Sequence, residues 1–174
     1  MVIDELDPGM DGDWLRMIKT YGIGLVRNSA HVNWKYAHHP VLNYRVRVAQ
    51  SYGKPTGYIV WRLSPDQADD RRAVITDFLV EKGDTKTLEF LVSHAIIEAA
   101  EAGMEVLSSL TSQSWAARLL RGYGFLPRGE AHGWVIGCAQ GHIPSAWVTD
   151  HEPWHMCTGD SDGDMWMGSV RPQP

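Results

Sequence analysis

The chain has 174 residues, of which 44% are hydrophobic and 21% charged, with a net charge of −5. That length suits one domain that buries a core without disulfides or a structural metal, and the acidic balance argues against a nucleic-acid partner, which selects for a basic face. No apolar run approaches the roughly 20 residues of a membrane span, and the acidic start Met1 to Asp7 lacks the apolar stretch of a signal peptide, so a cytoplasmic location is expected.

Met1 to Gly12 reads as an acidic loop. Asp13 to Tyr21 carries Trp14, Leu15, Met17 and Ile18 at helical spacing and stops at Gly22. Gly22-Ile23-Gly24 follows a helix rather than a strand, so it is not read as a phosphate cradle. Asn28 to Ala37 is expected to be a short helix with Trp34 and Tyr36 facing inward, ended by His38-His39-Pro40. Tyr44 to Ala49 alternates polar and apolar residues, the pattern of a half-buried strand. Ser51 to Pro55 is a turn, and Gly57 to Leu63 returns as the second strand of a hairpin. Ser64 to Arg71 is a polar loop.

The most organised stretch runs from Arg72 to Phe125. Ala73 to Val80 is β-branched and apolar over eight residues, as in a buried strand. Asp84 is a natural helix N-cap. From Thr85 to Ala102, Leu88, Leu91, Val92, Ala95, Ile96 and Ala99 recur at helical spacing, and Gly103 sits at the C-cap position. Met104 to Leu110 reads as a strand and Ser114 to Gly122 as a helix leading to Gly124-Phe125. Gly133 to Cys138 and Trp154 to Thr158 read as further short strands. The fold class predicted is a mixed α/β sheet, an antiparallel hairpin joined to a βαβ unit with right-handed crossover and flanked by helices. Residues 1–140 are read as the domain, and 141–174 as an extension packed on or near it. Three tryptophans of that extension, Trp147, Trp154 and Trp166, predict that it packs.

With these elements in place, the stretch from about Asn33 to Cys138 resembles the GNAT family of acyl-CoA-dependent N-acyltransferases. The hairpin closing on Gly57-Tyr58-Ile59-Val60 is similar to the family's strand pair. The strand, turn and long helix from Val74 to Ala102 are similar to its cofactor-binding unit. Ala116, Leu119, Gly124 and Phe125 match its Ala-x-x-Leu-Tyr-x-x-x-Gly-Phe motif. The resemblance implies acyl transfer from acetyl-CoA or another acyl-CoA to a small-molecule or peptide amine by direct attack. The donor would lie in a V-shaped opening between the strand Ala73–Val80 and the strand that starts at Met104. It implies cofactor contacts from Phe78, Leu79, Val80, Lys82, Gly83, Asp84, Thr85, Gln113 and Ala116, with a backbone N–H near Leu79 holding the thioester carbonyl. The tail Gly159-Asp160-Ser161-Asp162-Gly163-Asp164 is similar to tails of GNAT-like proteins from bacterial polysaccharide gene sets, which implies a bacterial source.

The direct attack needs a base and an acid. Asp77 interrupts a buried apolar strand, where an unpaired carboxylate is costly, and it is the candidate base. The alternative is that Asp77 pairs with Arg45, Arg47 or Arg62 of the hairpin. Glu81 is a weaker base. The family's acidic tyrosine falls at Leu120, so Tyr123, one helical turn on, is the candidate acid, with packing as its alternative role. The family's pyrophosphate loop is Glu81-Lys82-Gly83-Asp84-Thr85 here, with one glycine and an acidic side chain facing the phosphates. That departure leaves two alternatives open: a GNAT-fold binding or scaffold domain without catalysis, or a FemX-like transferase with another donor.

The chain opens on a loop where the family has a strand, which points to a homodimer or a missing partner domain. No metal is expected. Cys138 and Cys157 stand in no ligand spacing and read as unpaired thiols. Asp160, Asp162 and Asp164 are spaced like a calcium loop, but Met165 and Arg171 occupy the positions that need Gly and Glu.

Overall fold

The computed structural model of the chain describes residues 5–63, 71–127 and 153–160. The predicted strand Gly133–Cys138, most of the loop after Leu63, Cys138, Trp147, Trp166, Asp162 and Asp164 lie outside them.

The chain starts with a 3-10 turn, Pro8–Met10, then α1 (Asp11–Ile18), β1 (Ile23–Gly24) and α2 (Ser29–Val32), which continues into a π turn at Asn33–Ala37. The hairpin follows as β2 (Tyr44–Ser51) and β3 (Lys54–Leu63). Tyr52 and Gly53, with φ of 50° and 77°, form its two-residue turn, whose left-handed backbone matches the twist of the paired strands. Next come β4 (Arg72–Val80), α3 (Thr85–Glu101), β5 (Val106–Ser109) and α4 (Ser114–Gly122). The described chain ends with β6 (Trp154–His155) and a 3-10 turn, Thr158–Asp160.

Four strands form the main sheet in the order β2-β3-β4-β5, antiparallel except for the parallel β4–β5 pair, which is the predicted fold class. Alternation along β3 sends Ile59 and Trp61 to one face and Tyr58 and Val60 to the other. The first face packs on α3 and α4 through Ile75, Leu88, Leu91, Val92 and Ala95. The second packs on α1 and the π turn through Trp14, Met17, Tyr36 and Leu79. The sheet is thus buried on both sides, which is why β4 reads as a continuous apolar run. Asp84 caps α3 by accepting from Thr87 N at 3.1 Å, and Gly103 ends it at φ 78°. No helix among the described residues is long and apolar enough to cross a membrane.

Two local expectations change. Tyr36 is buried, but Trp34 is 71% exposed. Residues two apart point to opposite sides of a helix of either pitch, so Tyr36 facing the sheet sends Trp34 outward. The strand read at Trp154–Thr158 contracts to Trp154–His155, which pairs in parallel with Ile23–Gly24, and Cys157 forms a single antiparallel bridge with Thr111.

Candidate functional site: the opening between β4 and β5

β4 and β5 part company early. Their register runs only from Arg72↔Val106 to Ile75↔Ser109, after which β4 continues to Val80 with no strand among the described residues beside it on that edge. The parting coincides with a bulge. Val60 faces Asp77 and Trp61 faces Ile75, so Thr76 is an extra residue in β4. A bulge bends and twists its strand, and so turns the edge beyond Thr76 away from β5.

A strand edge inside a protein must satisfy its carbonyl oxygens. Three of them are accounted for by side chains. Ile75 O accepts from Thr158 Oγ1 at 3.2 Å, Phe78 O from His155 Nε2 at 2.7 Å, and Val80 O from Tyr21 Oη at 3.1 Å. Tyr21 stacks on the His155 ring at 4.2 Å. The other lip of the opening, just past β5, holds the same segment. Leu110 N donates to Thr158 Oγ1, Ser112 N to Met156 O at 3.0 Å, Met156 N to Ser112 Oγ at 3.0 Å, and Gln113 Nε2 to Trp154 O. Residues 153–160 therefore fill the opening from lip to lip.

Beneath the segment lies a buried ion cluster. Arg27 Nε meets Asp77 Oδ1 at 3.0 Å, and Arg27 Nη2 meets Asp160 Oδ2; all three side chains are almost fully buried. Tyr58 Oη donates to Asp77 Oδ2 at 3.1 Å. Burial opposes the Arg27 charge, but Asp77 and then Asp160 more than offset it and hold the guanidinium well above its ordinary pKa. Burial pushes the Asp160 carboxyl up, with Arg27 opposing. Burial, reinforced by Asp77, also pushes the Cys157 thiol and the Tyr58 hydroxyl up. Burial, with the Arg27 charge, pushes His155 down to about 3, so its imidazole is neutral. Asp77, His155 and Cys157 bring possible ligand atoms within 4.8 Å of one another. The first is already engaged by Arg27 and Tyr58, and the second by the Phe78 carbonyl.

The predicted residues fall at several places. Asp77 is buried in the cluster, and its cationic partner is Arg27 rather than a hairpin arginine. Arg47 instead meets Glu98 at 2.6 Å, Arg45 lies over the Trp61 ring, and Arg62 donates to its neighbour's carbonyl. Phe78 and Val80 line the opening, while Leu79 packs in the core facing α1. The loop from Glu81 to Thr85 is folded on itself. Lys82 N donates to Thr20 Oγ1, Asp84 N to Glu81 O, and Thr85 N to Gly83 O. Gln113 is buried and its side chain holds Trp154 O and accepts from Trp115 Nε1, while Ala116 lies in the core beneath α4. Tyr123 is separate from Asp77. Its hydroxyl meets Ser93 Oγ at 3.0 Å, at the rim of a groove of about 570 Å³ between α3 and α4 lined by Thr85, Glu89, Trp115 and Arg118.

Tyr21, Arg27, His31, His155 and Thr158 carry no signal of a site in the sequence, and Asp160 stands out there only through a calcium-like spacing. A buried aspartate in β4 calls for a cation, but nothing local selects Arg27, fifty residues upstream, over the chain's other arginines.

Compared with solved structures, the chain superposes on an aminoglycoside acetyltransferase, meta-AAC0020, from an uncultured soil metagenomic sample in complex with sisomicin (TM-score 0.53, 14% identity, 77% of this chain and 93% of that one). The chain has the GNAT fold. Aminoglycoside N-acetyltransferase AAC(6')-Iy in complex with CoA gives TM-score 0.51 at 10% identity over 77% of this chain and 98% of that one. The ribosomal-protein-S18-alanine N-acetyltransferase of Escherichia coli gives 0.50 at 13% identity over 72% and 77%. By sequence the chain matches no family model and no curated protein. The likeness is one of fold, and the acceptors named for these neighbours, an antibiotic and a protein, differ widely.

Proposed function

We propose that this GNAT-fold chain is an N-acyltransferase that moves an acyl group from an acyl-CoA donor to an amine. The observation that carries the reading is the bulge at Thr76 with the parting of β4 from β5, an opening of the shape and place where the resemblance puts a thioester. The amide groups of Phe78 and Val80, on the same strand edge as their carbonyls, would hold the thioester oxygen. The groove between α3 and α4, with Arg118 on its wall, would take the donor's nucleotide end.

Asp77 acts in this reading through Arg27 as a positioning residue, since both its oxygens are engaged. The candidate base for the attacking ammonium is His31, chosen on its charge state. That side chain is half-buried, its pKa is lowered by burial, and it lies within the electrostatic reach of Asp77 and Asp160. A neutral imidazole at neutral pH is what a base requires. The amine nitrogen forms the bond to the acyl carbon, the C–S bond breaks, and the thiolate leaves and takes its proton from solvent, because Tyr123 lines the groove assigned to the nucleotide end. The loop supports a second reading, a GNAT-fold binding or scaffold domain without catalysis, because the amides of Lys82, Asp84, Thr85 and Thr87 are all spent within the protein.

The test is thiol release from acetyl-CoA and longer acyl-CoAs at millimolar concentration with a panel of primary amines. Amine-dependent release that falls at least tenfold in His31→Gln is expected. Saturable donor binding without release from any amine would favour the second reading.

A further inference from the structure

We propose that the segment from Pro153 to Asp160 is a built-in plug of the donor opening, which excludes the acyl-CoA donor until it swings out. The inference rests on the transferase reading above and adds the regulation of that site. The segment occupies both lips at once, through Thr158 and His155 on β4 and through Trp154, Met156 and Cys157 on the stretch after β5. Any ligand that pairs with β4 beyond Thr76 must displace those contacts.

What holds the plug is mostly polar. His155, Thr158 and Gly159 are buried; Thr158 and His155 hydrogen-bond to backbone, the His155 ring also contacts Tyr21 and Phe78, and the Gly159 carbonyl accepts from Lys35 Nζ. Asp160 is pinned by Arg27, and Cys157 N donates to Asp160 Oδ2 at 2.8 Å, closing the last turn. To the two apolar clusters the segment contributes only the side chain of Cys157. A part held by polar contacts, with its apolar neighbours complete without it, is one that opens locally at less cost than the whole fold.

The tip of the plug fits without slack. Gly159 lies against Thr76, the bulge residue, and the Tyr36 hydroxyl. A Cβ at 159 would stand 2.9 Å from Thr76 Cγ2 and 3.2 Å from Thr76 O, and closer still to Tyr36 Oη. Thr76 is 0% exposed, so the strand cannot yield, and the relief available is for the segment to leave. Gly159→Ala is therefore a wedge that drives the plug against Thr76 of β4 and the Tyr36 hydroxyl.

The experiment compares the full native chain with full-length Gly159→Ala, and with His155→Ala/Thr158→Val as a second opened variant. Amide hydrogen exchange reads the segment and the sheet separately, and acetyl-CoA affinity is measured on the same samples. The expected result is fast exchange at Met156, Cys157 and Asp160 in the variants, unchanged protection in β2, β3 and β4, and acetyl-CoA binding about a hundredfold tighter than in the native chain. Equal affinity in native and opened chains would overturn the plug and leave the transferase reading standing. An opened segment on a protected sheet, with no acetyl-CoA binding in either chain, would overturn the transferase reading and the plug with it. If the segment and the sheet lose protection together in both variants, the segment is an inseparable part of the core and the plug is overturned.

Discussion

Replacing His155 by Gln removes one titrating group from the opening and keeps an amide N–H able to donate to the Phe78 carbonyl oxygen. The imidazole is stacked on Tyr21, edge-on to Phe78, and surrounded by Arg27, Asp160, Asp77 and Cys157. Burial and the Arg27 charge hold its pKa at about 3 in the folded chain, against 6.5 when unfolded. The unfolded state thus binds the proton more readily, so the His155 contribution is complete above pH 6.5 and is lost as pH falls from there toward 3. Between pH 7.5 and pH 5 the loss is about 2 kcal/mol, from one and a half pH units at ~1.4 kcal/mol each. His31 shifts in the same direction and Asp160 in the opposite one. Both remain in the variant, so the native-minus-variant difference isolates His155. Urea unfolding of native and His155→Gln chains at the two pH values measures it. The native chain should lose about 2 kcal/mol more than the variant on acidification. Parallel losses would show that His155 is hydrated or charged in the folded chain, and would remove it as the polar anchor of the segment.

Asp77→Asn leaves Arg27 buried with half its counter-charge and should cost about 3 kcal/mol of stability, read by the same unfolding assay. Asp84→Ala removes the cap on Thr87 and should lower stability by about 1 kcal/mol while freeing an amide at the start of α3. Trp34→Ser, at an exposed position, should change stability by less than about 0.5 kcal/mol. A large loss there would mean that the π turn places this ring inward in solution.

The elements that build the sheet were legible because their signals are local. The eight-residue apolar run of β4, the spacing of Leu88, Leu91, Val92, Ala95 and Ala99, and the Asp84 cap each lie within a few turns of chain. Trp34 misled because its aromatic character suggested burial, whereas a residue two positions from the buried Tyr36 lies on the opposite side of the helix. The site was less legible because its decisive pairs are distant in sequence. Asp77 meets Arg27 across 50 residues, and Phe78 meets His155 across 77. That an aspartate in a buried strand needs a cation follows from the cost of burying charge; which cation does not. Trp147, Trp154 and Trp166 predicted that the tail packs. They gave no hint that it packs into the opening where the resemblance places the donor.

The edge of β4 joins these results. Beyond Thr76 no strand among the described residues pairs with this edge, opposite β3, and its carbonyls of Phe78 and Val80 need donors whether or not a ligand is present. In this chain Tyr21 and His155 supply them, with Thr158 on Ile75 at the bulge. Each such bond contributes about 1 kcal/mol net, so the two that the segment makes to this edge, from His155 and Thr158, set a floor of about 2 kcal/mol on its opening, to which the bonds on the other lip and the Arg27–Asp160 pair add. An opening that costs about 3 kcal/mol or more leaves the competent form below about one part in a hundred, and the apparent affinity of any donor falls by the same factor. The apolar faces of the sheet pack on α3, α4 and α1, so the sheet should survive an opening that exposes β4. Protonating His155 at pH 5 lowers the cost by about 2 kcal/mol, provided that the open segment is solvated. Acetyl-CoA binding to the native chain should then strengthen on mild acidification and stay flat in His155→Gln.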